Sequence, residues 1–273
     1  MPASQAQIRE LFSKLERRIS SLARKPTPEN VHGFRTSSRR VEAVVRELVA
    51  KRSSNDKKLL KRLSRLRQKA GKVRDFDAQL AALRSLNFPQ EARRKAHLAH
   101  ALSDSRIRSR KRLLKELDKE SIKEIRRRTK RTAKQFKLSH HTSPLIVAKR
   151  MMNALGVSNP QDEQTLHHYR TVGKRARYVA ELAKDDPETK VLLEQLKRMQ
   201  DRIGDWHDWL QLTARAEKLF GGPGDSALVA ALRNITRAKY RLGVEGINLA
   251  RPAWAERKLP QSAVRSLSDA AVA

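Results

Sequence analysis

Val31-His32-Gly33-Phe34-Arg35-Thr36-Ser37-Ser38-Arg39-Arg40 aligns without a gap on Leu166-His167-His168-Tyr169-Arg170-Thr171-Val172-Gly173-Lys174-Arg175. The shared pattern is apolar-His-x-aromatic-Arg-Thr-x-x-basic-Arg. Further along, Gly71-Lys72-Val73-Arg74-Asp75 aligns on Gly204-Asp205-Trp206-His207-Asp208. The first pair lies 135 residues apart (31 to 166) and the second 133 (71 to 204). Two matches in the same order and at nearly the same spacing point to a duplicated unit of about four helices. Repeat one is placed at about 4–137 and repeat two at about 143–250, with a tail over 251–273.

Working outward from these stretches, apolar residues recur at helical spacing and no segment alternates at period two. Helices are read at 4–24, 28–50, 55–86, 89–117 and 119–137, then at 143–156, 161–184, 187–220 and 225–250. The breaks between them carry helix-stopping residues, as in Pro26-Thr27-Pro28, Asn87-Phe88-Pro89, Asp185-Asp186-Pro187 and Gly221-Gly222-Pro223-Gly224. Thr27 before Pro28 and Asp186 before Pro187 read as N-caps followed by a first-turn proline. Only 4% of residues are aromatic, and Gly and Pro number ten each, which suits an all-α fold.

Lys and Arg total 61 against 29 acids, a net charge of +32. Self-repulsion at that charge opposes the compact state, so an anionic partner is expected: nucleic acid, a phosphate polymer or an anionic membrane. The chain has no cysteine, which excludes disulfides, thiolate metal sites and Cys nucleophiles. No apolar run approaches the roughly 20 residues that span a bilayer, so no membrane insertion is expected. Met1–Ser13 lacks the pattern of a signal peptide, and a soluble cytoplasmic protein is expected.

On a helix advancing about 100° per residue, His32, Arg35, Arg39 and Arg46 share a stripe about 60° wide. Phe34, Val41, Val45 and Leu48 lie opposite. In the second copy His167, Arg170 and Lys174 form the same stripe with Arg177 at its edge, backed by Tyr169, Val172, Ala176, Val179 and Ala183. Arg40 and Arg175 sit to one side at matching places. Guanidinium forks, a lysine point charge and imidazole N–H groups together favour phosphate. His32 to Arg46 covers about 21 Å, a length that suits an extended phosphate chain. Each histidine is followed by cations rather than by a second ligand at helical spacing, so no metal site is expected. Asp75, Asp77, Asp205 and Asp208 read as acids that orient nearby Arg and His. The dense run Arg126-Arg127-Arg128 with Lys130-Arg131 reads as a solvated helix face, with nucleic-acid contact as the sharper alternative. Trp206 and Trp209 are expected to pack, and Trp254 to pin the start of the tail.

These residues resemble the conserved histidine α-helical domain (CHAD) family over about residues 4–250. The resemblance rests on Val31-His32…Arg35…Arg39-Arg40-Val41, Arg74-Asp75-Phe76-Asp77, Leu166-His167…Arg170…Lys174-Arg175-Ala176-Arg177-Tyr178…Glu181, and Ile203-Gly204…Asp208. It implies two four-helix bundles related by a pseudo-twofold axis, with a basic cavity or pore between them. It also implies binding of inorganic polyphosphate, in some members at polyphosphate granules. Carried over by position, His32, Arg35, Arg39, Arg40, His167, Arg170, Lys174, Arg175 and Arg177 would line that cavity, with Arg74 nearby. Glu42 departs from the family pattern, standing where repeat one commonly has another basic residue. Thr36-Ser37-Ser38 replaces a more apolar trio, and His207 replaces a smaller polar residue.

The expected function is non-catalytic polyphosphate binding without a cofactor. No phosphate-binding glycine loop, nucleophile triad or paired Glu-x-Glu motif is present. The alternative is a histone-like or RNA-associated basic protein, with nucleic acid as a weaker or substitute polyanion.

Overall fold

Most helices begin where a short polar side chain can take up the free amides of a first turn. The computed structural model describes residues 5–49, 51–137, 143–156 and 162–255. After α1 (Gln5–Arg24), Thr27 accepts from the Asn30 amide at 3.2 Å and starts α2 (Pro28–Leu48). Ser53 and Asp56 form a reciprocal capping box that starts α3 (Ser54–Ser85). Then come α4 (Ala92–Glu116) and α5 (Lys119–Gln135), the latter capped by Asp118. Ser143, Asp162, Asp186 and Ser226 cap α6 (Pro144–Asn153), α7 (Glu163–Ala180), α8 (Pro187–Phe220) and α9 (Ala227–Ala250). Gly221 ends α8 at a φ of +81°, a conformation that a side chain would strain.

The all-α expectation holds, and no strand occurs among the described residues. No described helix is long and apolar enough to cross a membrane. Both expected cap pairs form. Several boundaries shift by one to three residues, as where α2, α5 and α6 end at Leu48, Gln135 and Asn153, and two differences have a traceable cause. The helix expected from 89 starts at Ala92, because Glu91 is used elsewhere. Its carboxylate accepts from Ser226 Oγ at 2.7 Å, the Leu228 amide at 2.9 Å and the Ala227 amide at 3.3 Å, and so caps α9. The helix expected over 161–184 ends at Ala180 and tightens into a 3₁₀ turn over Glu181–Ala183 before the Asp186 cap. The expected helix starts at 4 and 161 and the tail beyond 255 lie outside the described residues, whereas the helix expected to 50 ends at Leu48, where Val49 turns to extended backbone.

The helices of the two halves pair in the same order. α1 meets α2, α2 meets α3 and α3 meets α4; likewise α6 meets α7, α7 meets α8 and α8 meets α9. α2 and α7 then pack on each other, as do α3 and α8. Helix α5 has no counterpart. It lies on α1 and α3, where Ile125 and Phe136 close the first apolar cluster. The second cluster is closed by the end of α9 and by Trp254, which is buried as expected.

Among the described residues the buried apolar side chains form three clusters. The first half of α3, from Leu59 to Val73, belongs to the first, and the first half of α8, from Leu192 to Trp206, belongs to the second. Past these points both helices enter a third cluster. Phe76, Leu80 and Leu83 there meet Trp209, Leu212 and Ala216, with α4 and the start of α9 on the outside. Each long helix therefore changes core at Val73–Phe76 or Trp206–Trp209. The polar residues in those gaps, Arg74-Asp75 and His207-Asp208, fall at the crossing with α2 and α7.

Because Glu91 joins the α3–α4 loop to α9, replacing it should loosen a helix far away in sequence. Glu91→Ala should speed amide hydrogen exchange at Leu228 and Val229 by about tenfold or more. Exchange at Leu192 and Leu196 in α8 should stay unchanged.

Candidate functional site

Where α2 and α7 pack together, with α3 and α8 alongside, they enclose a cavity of about 610 Å³. His32, Arg35, Arg39, Arg40 and Arg74 line it from the first half, and Arg170, Lys174 and Arg177 from the second. The helical stripes were thus correctly aligned, since the residues opposite them, among them Phe34, Val41, Tyr169 and Ala176, are buried in the cores. Three of the expected residues lie elsewhere. His167, Arg175 and Arg46 line a second cavity of about 410 Å³. The two cavities share Arg39, Arg170, Lys174 and Tyr178, so they are openings on two sides of one cationic cluster.

The centre of that cluster is poorly compensated. Arg35 reaches Asp75 at 3.5 Å, and Arg170 feels Asp208 and Asp75 only at longer range. Lys174 has no ion-pair partner among the described residues. Burial, then the charges of Arg170, Arg39 and Arg35, pull its pKa from 10.5 to about 6. Burial likewise lowers Arg35 to about 10, despite Asp75. Asp208 moves up, chiefly because it is buried. Nitrogen atoms of Arg35, Arg170, Arg175 and Arg177 are buried without a hydrogen-bond acceptor. Such groups are costly to leave unpaired, and an anion with several oxygens would satisfy them.

The histidines mark the rims. His32 is exposed beside Arg74 and Arg35, and partial burial with those charges lowers its pKa. His167 stands against His207 with ring centroids 5.5 Å apart. Burial and the charge of Arg170 hold His207 at about 3, so it is neutral at physiological pH. Among the described residues no cluster of three metal-ligating side chains occurs.

Arg40 and Arg175 do a different job from the stripe residues. Arg40 on α2 grips Glu181 at the end of α7 with bonds of 2.6 and 3.1 Å. Arg175 on α7 reaches Glu47 on α2 at 3.4 Å. These reciprocal pairs tie the two repeats on either flank of the like-charged centre. Glu42, the departure from the family pattern, is also explained. It holds both Arg46 and Arg67 on the rim of the second opening. At the aligned position in repeat two stands Arg177, while Gln200 aligns with Arg67. The two openings have exchanged a charge pair for a single cation and an amide.

Sequence reasoning missed Tyr178, Gln200, Asp201 and Arg67 as lining residues. Extending the second repeat match four residues backward would have paired Arg67 with Gln200. Tyr178 left no such signal. Its ring carries Arg40 at 5.6 Å and Arg177 at 5.2 Å, a contact that only the folded chain creates.

Gly71 and Gly204 occupy matching places but unlike surroundings. A Cβ on Gly71 would lie 2.9 Å from Arg35 Nη1, whereas one on Gly204 would meet nothing within 4 Å. Gly204→Ala should therefore raise stability by about 0.5–1 kcal/mol, the usual gain for a helical glycine. Gly71→Ala should lose that gain, because its Cβ must displace the Arg35 guanidinium. Denaturant melts of the two variants check this contrast.

Comparison with known proteins agrees with this architecture. The CHAD domain profile matches residues 6–217. No protein of curated function matches the chain. Among solved structures, PptA from Streptomyces chartreusis is similar with a TM-score of 0.67 at 17% identity, over 93% of this chain and 100% of that one. The CHAD domain from the plant Ricinus communis is similar with a TM-score of 0.64 at 17% identity, over 93% of this chain and 91% of that one. At such low identity these structures speak for the fold alone. With a profile match over most of its length, the chain belongs to the CHAD family.

Proposed function

We propose that the chain binds inorganic polyphosphate in this cavity without turning it over. One observation carries the reading: Arg39, Arg170 and Lys174, drawn from both repeats, are held together at the meeting of two openings, with no carboxylate in ion-pair contact among the described residues. Crowding these basic groups together costs the empty fold stability, partly as repulsion between guanidiniums and partly by stripping the proton from Lys174. The arrangement makes sense when a multivalent anion restores what burial and repulsion cost. Two openings on one cluster suit a chain that passes across it better than a single small anion. Nucleic acid fits less well. Among the described residues Tyr178 is the one Phe, Tyr or Trp side chain lining either cavity, and its ring is already occupied by Arg40 and Arg177, which leaves a base only the rim histidines to stack on. Asp75 and Asp208 serve as counter-charges for Arg35 and Arg170 rather than as an acid–base pair. A protein of this kind would be drawn to polyphosphate granules.

In competition at matched phosphate concentration and physiological salt, long-chain polyphosphate should displace duplex DNA. Arg35→Ala with Arg170→Ala should weaken polyphosphate binding by about 100-fold, since each removes charge-assisted hydrogen bonds. Polyphosphate incubated with the protein and Mg²⁺ should keep its length. Stronger binding of DNA, or unchanged affinity in the double variant, would refute the reading.

Binding should also take up protons. Lys174 sits at about 6 in the empty cavity, and a bound anion favours its charged form. Above pH 6, affinity should therefore fall as pH rises, by up to about tenfold per unit while Lys174 charges on binding. The lowered pKa values of His32, His167 and His207 act in the same direction. The empty protein should behave in the opposite sense. The unfolded chain binds more protons between pH 6 and 10.5, so stability rises with pH across that window. Lys174→Met should flatten both profiles, weaken binding, and stabilise the empty protein at pH 7 by about 1–3 kcal/mol. Calorimetry in buffers of different ionisation enthalpy reads the proton uptake.

A further inference from the structure

Basic side chains do not stop at the cavity. Arg46 lines the second opening and also a groove of about 650 Å³ on the outer face of α3. Lys57 and Lys61 border that groove one turn apart, followed by Arg65 and Gln68, a row of about 16 Å along the helix. Lys61 and Arg65 are shared in turn with a further groove of about 410 Å³ that reaches Arg128 on α5. The central cluster, the second opening and the two outer grooves are therefore joined through common lining residues.

The charges along this path are not equivalent. Three acids border it, and each is already held. Glu42 pairs with Arg46 and Arg67, Glu116 with Arg65 at 2.8 Å, and Glu124 with Arg62 and Arg128 at 2.7 Å. Arg52, Lys57, Lys58 and Lys61 are exposed and have no acidic partner among the described residues. Paired arginines thus flank a file of exposed lysines without acidic partners among the described residues, and lysine acts on phosphate as a flexible point charge.

We infer that the outer face of α3 is a track for the part of a long polyphosphate chain that emerges from the second opening. This rests on the cavity reading above and adds a direction of exit and a dependence on chain length. A flexible chain of phosphates can turn from a buried cluster onto a helix face. Duplex DNA, with a persistence length of about 150 bp, cannot follow the same path.

The test compares tripolyphosphate with long-chain polyphosphate on the intact protein. Lys57→Ser, Lys58→Ser and Lys61→Ser together should leave tripolyphosphate affinity within about twofold and reduce long-chain affinity by about tenfold or more. The slope of log affinity against log salt should fall by about 2 for the long chain only, as for lost contacts to a single strand. Removing the same charge from Arg126, Arg127 and Lys130 on α5 should change long-chain affinity by less than about twofold, which separates a track from diffuse attraction. Unchanged long-chain affinity in the lysine variant overturns the track. So does an equal loss for both ligands at an unchanged melting temperature, or an α5 variant that loses as much. A loss confined to duplex DNA would reassign the face to nucleic acid and overturn it as well. Failure of the cavity reading looks different: wild-type protein would then ignore tripolyphosphate, or keep its affinity in the Arg35→Ala, Arg170→Ala variant.

Discussion

Like charges held together in a partly dry space constrain the rest of this fold. Arg35, Arg39, Arg170 and Lys174 converge where α2 and α7 cross, and Coulomb repulsion there is screened far less than at a surface. The molecule contains that repulsion from its flanks. Arg40–Glu181 and Arg175–Glu47 clamp the two helices from opposite repeats, while Asp75 and Asp208 supply negative charge from α3 and α8. The apolar clusters then hold those helices from behind. Without this backing, the central cations would drive α2 and α7 apart.

The long helices explain how the backing reaches the centre. Were α3 and α8 half as long, each repeat would own a separate core and the two would meet only through α2 and α7. Their second halves instead share a third cluster around Phe76 and Trp209. The residues just before that cluster, Arg74-Asp75 and His207-Asp208, are then fixed on both sides by packing. A site on rigid helices can hold guanidiniums in place before any ligand arrives, which lowers the cost of ordering them on binding.

Duplication supplied two similar stripes, but the openings they make have diverged. One keeps Arg177 and Gln200; the other has Glu42, Arg46 and Arg67, with its acid engaged by two guanidiniums. Helix α5 has no counterpart in the second half, and its Arg128, held by Glu124, lines the further groove on that side. The cavity thereby has unlike ends.

The sequence by itself determined which residues share a helix face. Period and spacing along one chain settle that His32, Arg35 and Arg39 point away from Phe34 and Val41, and that His167, Arg170 and Lys174 repeat them. The caps at Thr27 and Asp186 were legible for the same reason, because a cap acts within four residues of itself. What needed the tertiary structure was every relation between distant segments. Glu91 could not be recognised as the cap of α9, nor Glu42 as the partner of Arg67, since nothing local distinguishes these acids from solvated ones. The pairing of Arg40 with Glu181 is likewise invisible until α2 and α7 cross. The burial that lowers Lys174 to about 6 arises only when two stripes, each ordinary alone, are pressed face to face.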